Sequence, residues 1–71
     1  MSIKILFGNQ IKKFRQELKM SQEQLAFASG LSKNYICDVE KGRRNISLEQ
    51  IVKLAKSLQM SLSELFSFTY T

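Results

Sequence analysis

Apolar residues recur along this chain with a helical period, in blocks separated by short polar interruptions. Phe7, Ile11, Phe14 and Leu18 stand at i, i+4, i+7 and i+11, the stripe of an amphipathic helix. This predicts a first helix reaching about Lys19. Gly8 interrupts its opening, at a cost of roughly 1 kcal/mol inside a helix. Ile3, Ile5 and Leu6 therefore stand either as a frayed first turn or as a separate apolar arm. Ser21 followed by Gln24 has the spacing of a capping box, which starts a second helix at Gln22 and carries it to about Ser29. Gly30, free to turn left-handed, ends it. Ser32 is placed to cap a third helix that runs to Lys41 and stops at Gly42. Ser47 with Gln50, and Ser61 with Glu64, make two more capping pairs. The first opens a fourth helix with Ile51, Leu54, Ala55 and Leu58 on its inner face. The second opens a short fifth helix that includes Leu62, Leu65 and Phe66. From Phe66 to Thr71 apolar and polar residues alternate with period two, which suits an extended strand or a frayed tail packing one face. No internal repeat, linker or low-complexity segment is visible. The expected class is all-α, with five helices in one compact domain spanning residues 1–71.

Residues 22–41 organise the rest. Leu25, Ala26, Leu31, Ile36 and Val39 point one way, while Ser32, Lys33, Asn34, Lys41, Arg43 and Arg44 crowd the other. Two short helices joined at a glycine, with an apolar inside and a basic polar outside, form the outline of a helix-turn-helix, a device that lays its second helix in the major groove of DNA. Ten residues of helix span about 15 Å, comparable to a groove about 12 Å wide.

The charge pattern agrees with that outline. The 71 residues carry a net charge of +5. Residues 1–45 hold nine Lys/Arg against four Asp/Glu, and residues 46–71 hold Lys53 and Lys56 against Glu49 and Glu64. The whole excess thus sits in the half with the helix pair, as contact with phosphates requires. Other chemistry is excluded or unsupported. A single cysteine, Cys37, gives no intramolecular disulfide or cysteine-based zinc cluster, and the absence of histidine removes the usual ligand and base. No Gly-rich phosphate loop or cluster of acids suggests an enzyme, and no metal or other cofactor is expected. The opening MSIKILF is too short an apolar run for a signal peptide or a membrane span, so a cytosolic protein without a membrane partner is expected.

The run SQEQLAFASGLSKNYICDVEKGRRNISLEQIVKLAKSLQMSLSELF resembles the phage repressor/Cro-type (XRE-like) helix-turn-helix family. The resemblance rests on Gln22 at the start of the second helix, Ala26 at the helix crossing, Gly30 at the turn, and Ile36 and Val39 at the inward positions of the third. Within the family the chain looks most like the controller proteins of restriction–modification systems. The pointers are its short length, Tyr35-Ile36, Arg44-Asn45 followed by Ile46-Ser47, and an ending at the fifth helix. The resemblance implies a lambda-repressor-like DNA-binding domain, a homodimer acting on a double-stranded inverted-repeat operator, and regulation of its own gene together with an endonuclease gene.

It also assigns roles. Lys33 and Asn34 fall where the family's base contacts cluster, and their chemistry suits it: lysine donates to guanine O6 and N7, asparagine bonds adenine N6 and N7. Ser32 caps the helix, touches phosphate, or does both. Tyr35 has two open roles, its hydroxyl on a phosphate or its ring in packing. Gln22 matches a phosphate contact at a helix N-terminus, with a possible brace to Asn34. Arg43, Arg44 and Asn45 would clamp phosphates at the groove edge, with Arg44 aligned to an arginine that reaches a base in controller proteins. Arg15 resembles a family arginine paired with the acid found here as Glu40, tying the first helix to the third. Cys37 reads as a small filler or a thymine-methyl contact ahead of a redox switch.

Leu62, Leu65, Phe66, Phe68 and Tyr70 exceed the needs of one small core, so the fifth helix and tail, about residues 61–71, with part of the fourth helix, are expected to form the dimer interface. Activation would need a surface touching RNA polymerase, for which Asp38 and Glu40 are candidates by analogy. The competing readings are a free-standing repressor of a phage or mobile element, and an antitoxin-type protein-interaction module.

Overall fold

The computed structural model describes residues 2–70. Five helices follow one another: α1 Ile3–Glu17, α2 Gln22–Ser29, α3 Lys33–Glu40, α4 Leu48–Ser57 and α5 Leu62–Leu65, with no strand among the described residues. Each helix opens on a serine whose hydroxyl accepts a backbone N–H of the first turn: Ser2, Ser21, Ser32, Ser47 and Ser61. The reciprocal half of the capping box forms at Ser21/Gln24 and Ser61/Glu64. At Ser47 it does not: Gln50 Oε1 accepts from the Ser47 hydroxyl at 2.9 Å and leaves the backbone N–H alone.

The helix ends share a closure. After α1, the Lys19 N–H donates to Gln16 and the Met20 N–H to the Arg15 carbonyl. After α4, Gln59 and Met60 do the same to Lys56 and Ala55. This is the Schellman arrangement, and it recurs at Gly30–Leu31 and Gly42–Arg43. It needs one left-handed residue. Gly30 (φ 73°) and Gly42 (φ 72°) adopt that conformation freely, whereas Lys19 and Gln59 (both φ 57°) hold it without glycine's licence. The corners 18–25 and 58–65 are therefore one pattern written twice, Leu-x-Met-Ser-x-x-Gln/Glu-Leu, a short internal repeat contrary to expectation.

The core is made by Ile11, Leu25, Ile36, Val39, Leu54 and Leu65, with Phe7, Ala26, Ala55 and Leu58 around them. α3 packs on both α1 and α2. Three expectations change. First, α1 begins at Ile3 and Gly8 lies inside it, so the opening residues are neither frayed nor a separate arm. Gly8 is buried against the end of α3, where a Cβ would meet the Val39 carbonyl oxygen and come within 2.9 Å of that of Glu40. Its cost to the helix is the condition for a close α1–α3 approach. Second, Leu18 caps α1 and is exposed, because the helix ends before its stripe turns inward again. Third, the tail is not extended. The Ser67 N–H returns to Glu64 and the Phe68 N–H to Phe66, which curls Phe68 back until its ring is 6.0 Å from Phe66, itself 5.2 Å from Phe7. Gln10 Nε2 donates to the Leu65 carbonyl at 3.2 Å, fastening this end to α1. Thr71 lies outside the described residues.

Candidate nucleic-acid interface

α3 presents its first turn outward. Ser32, Lys33 and Asn34 are exposed while Ile36 and Val39, three and six residues after Lys33, are buried. The Ser32 hydroxyl accepts the Tyr35 N–H at 3.0 Å, so its cap role is occupied. Beyond α3, the left-handed Gly42 reverses the chain and puts Arg43, Arg44 and Asn45 in an exposed loop. Helix start and loop thus flank one surface, with Tyr35 half-buried between them.

Behind it lies a buried polar joint. Arg15 Nε donates to Glu40 Oε2 at 2.6 Å and Nη2 to Oε1 at 3.1 Å, while Nη1 donates to the Met20 carbonyl at 2.8 Å. Gln22 Nε2 donates to Glu40 Oε1 at 3.1 Å. Glu40 thereby takes donors from α1 and α2, and every buried side-chain N and O among the described residues is partnered. Two expectations need correcting here. Gln22 is engaged with Glu40 and does not brace Asn34. Glu40 is buried and fully used, so it offers no surface to a polymerase.

The outward cations also have acidic partners: Lys33 Nζ reaches Glu23 at 3.5 Å and Arg44 Nε reaches Asp38 at 3.5 Å. Both are exposed pairs of the kind worth little to stability. Arg44 also covers the Tyr35 ring, its Cζ 4.7 Å from the centroid. Burial pushes the Tyr35 phenol above its ordinary value, and the Arg44 charge partly opposes that. The sequence reading missed Glu23 and Asp38 as partners of these cations, and no regular spacing marks either across the turn or loop. A solvated basic surface on a buried, ion-paired seat is suited to phosphates and base edges.

A family model described as Helix-turn-helix matches residues 11–65. The chain belongs to this family. Among its relatives, Control protein C.BamHI of Bacillus amyloliquefaciens is 42% identical over 69 residues, covering 96% of this chain and 85% of that protein. Control protein C.MunI of a Mycoplasma species is 46% identical over 66 residues, covering 92% and 89%. The crystal structure of the restriction-modification controller protein C.AhdI from Aeromonas hydrophila superimposes with a TM-score of 0.87 at 44% identity, over 89% of this chain and 96% of that one. The helix-turn-helix of this family member is α2–Gly30–α3, with α1 packed against α3 and α4 against α2.

The residues assigned to the dimer do not share one environment. Leu62 is 47% exposed, Phe66 39% and Tyr70 56%, and Phe68 is half-buried. Leu65 has no exposed surface and is a core residue of the single chain, so it has nothing to offer a partner. α4 adds two exposed apolar residues one turn apart, Leu48 and Val52. No described helix is long and apolar enough to cross a membrane.

Proposed function

We propose that the protein is a sequence-specific DNA-binding transcriptional regulator of the restriction–modification controller type. It acts in the cytosol as a homodimer on an inverted-repeat operator, regulating its own gene and that of the endonuclease. The observation that carries this is the exposed first turn of α3 beside the Arg43–Asn45 loop, in a chain alike over nearly its whole length to control proteins. Lys33 and Asn34 read base edges, with Arg44 reaching a base from the loop; Arg43, Asn45, Ser32 and Tyr35 set the register on phosphates. Gln22 contributes through its backbone N–H at the start of α2, since its side chain is held by Glu40.

Two-fold operators place recognition helices about 34 Å apart. One chain measures 33 Å along its longest axis and carries a single α3, so two chains are needed. Leu48 and Val52 on α4, with Leu62 and Phe66 at α5, supply exposed apolar area for an isologous contact. Occlusion of a promoter suffices for repression; for activation, Asp38, half-buried and paired with Arg44, is the acid of α3 with surface left for RNA polymerase.

Selection of bound duplexes from a random pool near 0.15 M salt tests the reading. Two inverted half-sites about 10 base pairs apart, centre to centre, are expected. Binding without a motif that fades steeply with salt would reduce the protein to general phosphate attraction and defeat the proposal.

A further inference from the structure

Arg44 is held from two sides by the reading helix. Tyr35 and Asp38, three residues apart on α3, are neighbours on its surface. The ring of the first lies under the guanidinium at 4.7 Å, and the carboxylate of the second meets Nε at 3.5 Å. The ring covers one face of the guanidinium, and the carboxylate beside Nε biases that edge inward. The two terminal nitrogens are then left along the outer edge. That is the fork that matches two adjacent acceptors, such as O6 and N7 of guanine. Asp38 also places a negative charge beside the cation, which weakens its attraction to any single phosphate. The geometry is a filter: a paired acceptor is favoured over a point charge.

We infer that Asp38 and Tyr35 are specificity-determining positioning residues, which orient Arg44 so that its outer edge meets two acceptors on a base. The inference rests on the proposed DNA-reading role of this surface. It deepens that role by assigning discrimination to side chains that need touch no base. A phenol is neutral near neutral pH, and burial shifts this one further in the same direction, so the platform under the guanidinium is uncharged.

The test measures affinity for the selected operator and for a scrambled duplex of equal length at fixed salt. It uses the full chain and the variants Asp38→Asn, Arg44→Ala and their combination. Removing an acid strengthens attraction to all DNA, and that general effect cancels in the ratio of the two affinities. Asp38→Asn is expected to lower the ratio roughly tenfold when Arg44 is present, and to leave it within about twofold when Arg44 is alanine. Tyr35→Leu should erode preference at the same operator positions as Arg44→Ala. A ratio unchanged by Asp38→Asn, or lowered equally with and without Arg44, would overturn the inference. Failure of the unaltered chain to select any motif would instead remove the DNA-reading role beneath it. The two failures are distinguishable because the second is seen before any variant is made.

Discussion

Arg15 and Glu40 meet along two parallel hydrogen bonds, Nε to Oε2 at 2.6 Å and Nη2 to Oε1 at 3.1 Å, across the contact between α1 and α3. Both side chains are almost wholly buried. Removing one partner leaves a buried charge alone, which costs about 3–5 kcal/mol. Arg15→Ala should therefore lower the urea midpoint sharply. Arg15→Lys should not restore it, because an ammonium lacks the fork that also reaches the Met20 carbonyl. An unchanged midpoint with weakened DNA binding would make Arg15 a phosphate contact instead.

Gly8 gives a second prediction at the same contact. A methyl group there meets backbone carbonyl oxygens of Val39 and Glu40, which cannot rotate away as a side chain would. Gly8→Ala should gain helix propensity of about 1 kcal/mol and lose more, since overpacking costs about 1–3 kcal/mol when only side chains must yield. A net loss of thermal stability is expected. A net gain would show that α1 and α3 can separate freely.

The α5 residues allow core and interface to be told apart. Leu65→Ala opens a cavity and should destabilise the fold by about 2–5 kcal/mol. Leu48→Ser combined with Leu62→Ser touches exposed surface and should yield a folded monomer by sedimentation at micromolar concentration, with operator binding weakened. A double variant that remains dimeric would move the interface elsewhere.

At Ser61 the backbone N–H and the hydroxyl hold the Glu64 carboxylate below the ordinary glutamate range. A depressed acid stabilises above its unfolded value and loses that contribution as pH falls through its folded one. The closure of α5 should thus weaken on acidification below the usual glutamate range. An NMR titration should place the Glu64 transition below the ordinary glutamate value, and Glu64→Gln should remove this part of the acid dependence. A Glu64 titrating at the ordinary value would contradict the capping geometry.

Gln59 sits left-handed without being glycine. L-residues are strained there by roughly 1–2 kcal/mol, and glycine gives back about 0.5–1 kcal/mol of that through its looser unfolded chain. Gln59→Gly should raise the melting temperature modestly and leave operator binding unchanged. No gain would mean that the glutamine is relaxed in that turn.

The helices were legible in the sequence because serine caps and apolar spacing act locally, within a turn of the residue concerned. The start of α1 was not, because Gly8 is explained only by a carbonyl thirty-one residues away in the chain. The exposure of Leu18, at the end of α1, escaped for a related reason. Lys19 carries no glycine to advertise its left-handed turn, so the apolar stripe appeared to continue through Leu18. In the candidate site, exposure of Lys33, Asn34 and the Arg43–Asn45 loop follows from periodicity. Which acid accompanies which cation depends on how the loop after α3 folds back, and nothing in the residue order states it. Leu65 was misplaced because a short helix with apolar residues at Leu62, Leu65 and its C-cap Phe66 does not say which one points inward.

The repeated corner makes two distant parts of the molecule chemically alike. Met20 and Met60 hold the same place in it, each against the core and each followed by a serine that starts the next helix. Oxidation of a thioether in such a setting replaces an apolar contact by a polar one. One reagent would therefore disturb, by the same route, the step into the helix pair that faces DNA and the step into the helix that ends the domain. Oxidative damage to this protein would strike both steps together.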